Sequence, residues 1–366
     1  MNSEIFRREQ RSRFEDGEKP VSYRLRSLVG RGGMAEVYRG DAIFEDGGRE
    51  TVAIKRMRPD IKEPIFHQMF DDEARLGRIL EHPNLVRVYD IARLNESVII
   101  VMELIEGACL KSIYDRLALK ELSLSIGAAL YIIRELATGL EYAHQFRDEE
   151  GNWLRIVHRD VSPHNLLISQ YGDIKVMDFG LSEATIHETV REKHIVGGKF
   201  GYLAPEIVKQ ADTDHRVDIF GMGIILFELL AGQRLFLVPN DDRATVLNVM
   251  RCEVPRLSEL GVEVPPSVQR LLDDLLAAAP EDRLPTARAV IRRIEAILVE
   301  LEVVSPHREV AEVVAVHLAQ DARVSRVGEA AGLAELAAQA LDEGAFVEVD
   351  ELLEEGLRVS HPLSIR

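Results

Sequence analysis

Three stretches of the chain carry residue types that could work together on a phosphorylated ligand. The first is Gly30-Arg31-Gly32-Gly33-Met34-Ala35-Glu36-Val37. Without a Cβ, glycines let backbone N–H groups come close to phosphate oxygens. The flanking segments read as strands, so this is a glycine-rich hairpin, whereas a Rossmann loop or P-loop would open a helix. The plainer alternative is an ordinary hairpin turn. The second stretch is Val52-Ala53-Ile54-Lys55, a lysine closing an apolar strand. Alone, such a lysine reads as a solvated edge residue. One hairpin after the glycine loop and shortly before a helix carrying Glu73, it acquires a carboxylate partner; Asp71 and Asp72 fall on other helix faces and are expected to be solvated. The third is His158-Arg159-Asp160-Val161-Ser162-Pro163-His164-Asn165, followed by Asp178-Phe179-Gly180 and Ala204-Pro205-Glu206.

The elements that must position these residues change character along the chain. Tyr23–Val29, Glu36–Gly40, Thr51–Met57, Leu85–Ala92 and Ser97–Glu103 are rich in Val, Ile, Leu or Tyr and predict strands. A single helix interrupts them, from Pro64 to Leu80, with Phe66, Met69, Phe70, Ala74 and Leu76 at helical spacing. From Leu110 onward the helical period dominates, near Ser125–Gln145, Arg216–Leu230, Pro266–Ala279 and Thr286–Leu301, with short strands at Asn165–Ser169 and Asp173–Met177. A small β-rich half followed by a larger α-rich half predicts two lobes with a cleft between them.

Taken in order, these motifs resemble the protein kinases, and the resemblance covers roughly Tyr23 to Leu301. It implies an α+β bilobal protein kinase fold, with a small β-rich N-lobe and a large α-helical C-lobe. The expected boundaries are a flexible N-terminal extension at 1–20, a kinase domain at 21–301 and an acidic helical tail at 302–366. Within the domain the N-lobe takes 21–103, the hinge 103–107 and the C-lobe 108–301. The implied cofactors are ATP and Mg²⁺. Lys55 would bind the α- and β-phosphates and pair with Glu73, Asp160 would orient the substrate hydroxyl and accept its proton, and Asn165 and Asp178 would hold the metal. The nucleotide would lie among Val29, Gly30, Arg31, Gly32, Gly33, Val37, Ala53, Lys55, Met102, Glu103, Ile105, Leu167 and Asp178. Met102 takes the gatekeeper place, and backbone groups of Glu103 and Ile105 would read the base. Asp218 opens an apolar helix like the family's buried central one, and Arg283 resembles the arginine that pairs with Glu206.

Departures from the pattern are as informative as the matches. Ala35 stands where a third glycine would be, a tolerable change to a small residue. Ser162 occupies the place of the lysine that neutralises the transferring phosphoryl group, and Lys199 occupies the place of a threonine that reaches the catalytic loop. The pair looks exchanged, so Lys199 is expected to supply the missing charge; the alternative is a solvated loop lysine. If nothing compensates for Ser162, the chain would be a pseudokinase or ATP-binding signalling scaffold. Pro163 matches the Ser/Thr form, implying Ser/Thr hydroxyls of protein substrates as acceptors. Arg159 beside Asp160 suggests activation by phosphorylation, with Ser182, Thr185 and Thr189 as candidates for self-phosphorylation. An insertion, Phe146 to Leu154, carries Trp153, expected to pack on the lobe; with the motifs around it, it resembles eukaryotic-like Ser/Thr kinases of bacteria.

Composition sets outer limits. Against 45 Lys and Arg stand 62 Asp and Glu, a net charge of −17 that argues against general affinity for nucleic acid or an anionic membrane. From Glu300 on, 14 acidic residues face 5 basic ones, so about half of the excess belongs to the tail. The tail shows apolar faces at Val310, Val313, Val314 and Leu318 and at Leu333, Leu336, Ala337 and Leu341, suited to docking on the domain, to a homodimer or to a regulatory partner. Cys109 and Cys252 form no CxxC pair and support neither a disulfide framework nor a zinc site. No secretory leader or stretch of about 20 apolar residues is found, so a cytoplasmic protein is expected.

Overall fold

A computed structural model describes residues 5–7, 20–94, 97–119, 124–179 and 199–321. Gly180, Ser182, Thr185, Thr189, the side chain of Lys199 and the apolar face at 333–341 lie outside the described residues. The chain divides into two compact units, Met1–Ala311 and Glu312–Arg366.

The first unit opens with a six-stranded sheet: β1 (Ile5–Arg7), β2 (Ser22–Arg31), β3 (Ala35–Ile43), β4 (Arg49–Met57), β5 (Val88–Leu94) and β6 (Ser97–Met102). Their order is β1-β2-β3-β4-β6-β5, every pair antiparallel. Within the first twenty residues, expected as a flexible extension, 5–7 form an edge strand with Phe6 opposite Tyr23.

Alternation along β4 decides where the lysine goes. Successive side chains point to opposite faces. Val52 and Ile54 join Tyr23, Ile99 and Val101 in a core on one face. Ala53 and Met57 face the other way, onto a core shared with Phe70 and Ala74 of α1 (Pro64–Ile79). Lys55, in phase with Ala53 and Met57, therefore turns toward α1. On that helix Phe70, Glu73 and Ala74 are buried at i, i+3 and i+4 spacing, so Glu73 sits on an apolar stripe where a carboxylate needs a partner.

The helical half is built around α3 (Ile126–His144) and α5 (Arg216–Ala231), preceded by α2 (Leu110–Ala118) and the single-turn α4 (Pro205–Val208). Ser125 caps α3, its hydroxyl accepting from the Ala128 N–H at 3.1 Å. Every residue of α5 from Val217 to Leu229 is buried; the stretch Ile219–Phe227 is apolar on every face, as a core helix requires, and the carboxylates Asp218 and Glu228 flank it. A Cβ at Gly221 would lie 2.8 Å from the Cβ of Val161, so the glycine lets α5 approach the segment that carries Asp160. Three further helices, α6 (Asp242–Arg251), α7 (Pro266–Leu275) and α8 (Ala287–Glu300), complete the lobe.

A small sheet joins the lobes, with β7 (Gly107–Cys109), β8 (Leu166–Ser169) and β9 (Ile174–Val176) in that order. Beyond α8 the same unit continues through 302–311, helical from 306. There Glu309 accepts from the Ser125 N–H at 2.7 Å and from its hydroxyl at 2.6 Å, at the mouth of α3. In the second unit, residues 312–321 are helical.

Candidate active site

The β8–β9 hairpin brings two of the expected metal-holding residues together. Asn165 directly precedes β8 and Asp178 closely follows β9; the Met177 N–H donates to the Asn165 carbonyl at 3.0 Å, so the two side chains leave the same end of the hairpin. The Asn165 amide nitrogen donates to the Asp160 carbonyl and to its Oδ2, both at 2.9 Å. That fixes Asp160 and leaves the Asn165 amide oxygen as its outward acceptor.

Lys55 links the lobes. Its Nζ donates to Glu73 Oε1 at 2.6 Å and Oε2 at 2.8 Å, and to Asp178 Oδ1 at 2.7 Å. Burial disfavours the Lys55 ammonium, but the charges of Asp178 and Glu73 outweigh it and hold its pKa above the ordinary value. Burial first, then the Asp178 charge, pushes the Glu73 carboxyl up to about 8 against the opposing pull of Lys55. One ammonium therefore sits between two acidic side chains, and a second source of positive charge would relieve the site.

The loop carrying Asp160 hangs from one buried side chain. Asp218 Oδ1 accepts the Arg159 N–H at 2.8 Å, while Oδ2 accepts the His158 N–H at 2.9 Å and lies 2.7 Å from His144 Nε2. Burial works to raise the Asp218 pKa; the His144 hydrogen bond and charge, with the His158 charge and N–H, prevail and hold it below the ordinary carboxylate value. Arg159 (φ 62°) and Asp178 (φ 65°) both occupy left-handed backbone, a costly conformation for these residues. The Asp218 carboxylate holds the first in place and Lys55 the second. His158 Nε2 is 2.9 Å from the Met177 carbonyl and its ring lies 4.5 Å from that of Phe179, tying the Asp160 loop to the Asp178 segment.

Val37, Ala53, Met102, Ile105 and Leu167 fall in one apolar cluster drawn from both lobes, a surface suited to a flat heterocycle. Val29 lies apart from it, 59 % exposed in the β2 bulge between Leu28 and Gly30. Glu103 closes the cleft edge, its N–H donating to the Arg87 carbonyl at 2.8 Å and its carboxylate pairing with Lys175 at 2.9 Å. The Arg31 side chain pairs with Glu36 at 3.3 Å across the glycine hairpin. A Cβ at Gly30 would meet nothing within 4 Å, and at Gly32 only the Ala35 carbonyl at 3.4 Å. The protein's own packing requires neither glycine, so the clearance serves something outside the chain.

The donor set fits a hard cation held jointly with phosphate. Asp178 and Asn165 offer oxygens, and among the described residues no group of three or more His, Cys, Asp or Glu could hold a metal alone, so phosphate and water would complete the shell.

Further out, Glu206 and Arg283 meet as expected, in a buried two-pronged pair at 2.6 and 2.8 Å. Trp153 packs as expected in part: its indole N–H donates to the His144 carbonyl at 2.6 Å, while the residue stays 45 % exposed. Lys199 opens a short turn, Lys199–Tyr202. Ser162 is fully buried, and its hydroxyl has no hydrogen-bond partner among the described residues. The sequence reading missed His144 and the anchoring role of Asp218, whose partners lie 59 to 74 residues away in the chain.

A Lys–Glu pair bridging sheet and helix, a strained loop holding Asp160 and Asn165, and a glycine hairpin together suit the binding of a nucleoside phosphate with a metal ion. The chain belongs to the protein kinase family, matching the protein kinase domain over residues 23–293. It is similar to the tyrosine-protein kinase MasK of Myxococcus xanthus, 35 % identical over 280 residues, which are 76 % of this chain and 43 % of MasK. It is also similar to the serine/threonine-protein kinases PrkC of Bacillus subtilis, 35 % identical over 72 % of this chain and 39 % of PrkC, and PknL of Mycobacterium tuberculosis, 33 % identical over 76 % of this chain and 66 % of PknL. The match thus spans less than half of MasK and of PrkC. No helix among the described residues is long and apolar enough to cross a membrane.

Proposed function

We propose that this chain is an ATP-dependent protein kinase that transfers the γ-phosphoryl group to Ser or Thr hydroxyls of protein substrates. The observation that carries the reading is the Lys55 ammonium held at 2.6–2.8 Å between Glu73 and Asp178. That is a cation fixed by one carboxylate and able to exchange the other for phosphate. In this reading Lys55 holds the α- and β-phosphates, the glycine hairpin covers them, and adenine lies against Val37, Ala53, Met102, Ile105 and Leu167. Asp160 accepts the hydroxyl proton as the new O–P bond forms and the bond to the ADP oxygen breaks. Asn165 and Asp178 would hold Mg²⁺, which when bound neutralises phosphate charge.

Lys199 supplies the positive charge that Ser162 cannot. Supporting this is the buried Ser162 hydroxyl, a polar group with no hydrogen-bond partner among the described residues. A scaffold without transfer has no use for Lys55, Glu73, Asp160, Asn165 and Asp178 together. The protein is read as bacterial and cytoplasmic, with self-phosphorylation at Ser182, Thr185 or Thr189 and a regulatory or dimerising role for the tail.

The test is transfer from γ-labelled ATP by wild type beside Asp160→Asn and Lys199→Ala, followed by phosphoamino-acid analysis. Equal label from wild type and Asp160→Asn would sink the reading, and an unchanged rate in Lys199→Ala would remove the exchange. Label on tyrosine alone would move the acceptor toward the class named for MasK.

A further inference from the structure

The tip of the glycine hairpin is held by a residue that neither the motif nor the reading above uses. β4 ends at Met57, and the next residue, Arg58, turns back over the loop. Its Nη1 donates to the Gly33 carbonyl at 3.0 Å and to the Gly32 carbonyl at 3.3 Å. Its backbone N–H donates to the Met34 carbonyl at 3.0 Å. The guanidinium is itself fixed by Asp60, with Nε donating to Oδ1 at 3.0 Å. Arg58 thus reaches three consecutive carbonyls of the loop, 25 residues away in the chain.

A planar trans peptide points its carbonyl and the following N–H in opposite directions. Tying the Gly32 and Gly33 carbonyls to one guanidinium therefore aims the N–H groups of Gly33 and Met34 to the far side of the loop. Glycine-rich backbone would otherwise sample both orientations of each peptide plane, and fixing that freedom beforehand lowers the ordering cost of binding an anion. The Gly32 N–H is committed to the Ala35 carbonyl at 2.8 Å, closing the tip.

We propose that Arg58 is a positioning residue for the triphosphate, orienting the glycine-loop amides through the Gly32 and Gly33 carbonyls, with Asp60 holding it in that pose. This rests on the reading of the hairpin as the phosphate cover. Arg58 acts on the phosphate end of the nucleotide and leaves the base end alone. The effect should match one or two partly solvated, charge-assisted hydrogen bonds, since the side chain is 23 % exposed.

The experiment titrates the full chain with the Mg²⁺ complex of a non-hydrolysable ATP analogue and, separately, with adenosine. In Arg58→Ala the analogue should bind about fivefold more weakly and the KM for ATP should rise by the same factor. Adenosine affinity, the KM for a protein substrate and Tm should stay at wild-type values. Arg58→Lys, which has a charge but no fork, should fall between the two. Analogue binding within twofold of wild type in Arg58→Ala overturns the role, and so does an equal loss for adenosine, which would mean general damage to the lobe. Wild type that binds neither ligand overturns the kinase reading and this role with it; wild type that binds both, with Arg58→Ala unchanged, overturns this role alone.

Discussion

Replacing Asp218 with asparagine keeps size and shape while removing the charge from which the Asp160 loop hangs. The carboxylate takes hydrogen bonds on both oxygens from the His158 and Arg159 N–H groups and from His144, at 2.7–2.9 Å. An asparagine offers one oxygen and turns an NH2 toward the remaining donors, leaving at least one buried N–H unsatisfied at about 1–3 kcal/mol. Loss of the charge-assisted character of the others brings the expected total to about 3–5 kcal/mol. At about 2–4 °C per kcal/mol for a large domain, Tm should fall by roughly 6–20 °C. Arg159 would then be free to relax from its left-handed backbone, shifting Asp160. A displacement of about 1 Å at a reacting group costs on the order of 10²-fold in rate. Scanning calorimetry and label transfer at saturating ATP, run well below the variant's Tm, measure the two effects separately. Folding lowers the Asp218 pKa, so its stabilisation is present above the ordinary value of 3.8 and is lost as pH falls through the lower folded-state value. The stability gap between wild type and Asp218→Asn should therefore narrow in strong acid. A variant with Tm within 2 °C and kcat within about threefold of wild type would refute the anchoring argument.

Other substitutions probe separate links. Ser162→Ala removes a buried hydroxyl that makes no hydrogen bond among the described residues and should leave stability unchanged or raise it by about 1 kcal/mol, read from the urea midpoint; a loss above about 2 kcal/mol would mean the hydroxyl has an essential partner. Arg283→Met strands the buried Glu206 carboxylate and the carbonyls of Ala277, Ala278 and Arg216, and a loss of about 3–5 kcal/mol is expected in the same assay. Glu309→Ala removes the acceptor of the Ser125 N–H and hydroxyl; a Tm decrease of about 2–4 °C is expected, and no change would show that 302–311 adds nothing to the first unit.

The sequence was most legible where period and punctuation act locally. Pro64 and the apolar spacing after it located α1 to within a residue, and the apolar run from Ile219 to Phe227 marked a buried helix. Both reflect burial patterns written into consecutive residues. The strand expected over Leu85–Ala92 begins instead at Val88, because Leu85 is drawn into a parallel bridge with Val176 in the other lobe. The helix expected to reach Ala279 stops at Leu275. Lys55, Asp160, Asn165 and Asp178 stood out as candidates because each lies in a contiguous motif, yet the geometry that poises them was not legible. Asp218 and Arg58 act through backbone groups of distant segments, with His144 acting through the Asp218 side chain, and a hydrogen bond to a backbone N–H or carbonyl leaves no mark on the identity of the residue that provides it.

The insertion before the Asp160 loop has an optical consequence. Trp153 is the chain's single tryptophan. Its indole donates to the carbonyl of the same His144 whose ring sits against Asp218, and Arg155 lies 5.1 Å over its ring. Half in water and half against the lobe, the ring is a native fluorophore bonded two residues' reach from the support of the reaction loop. Excited beyond the tyrosine absorption edge it is the chain's sole emitter, so its emission should report the state of that support without any label attached.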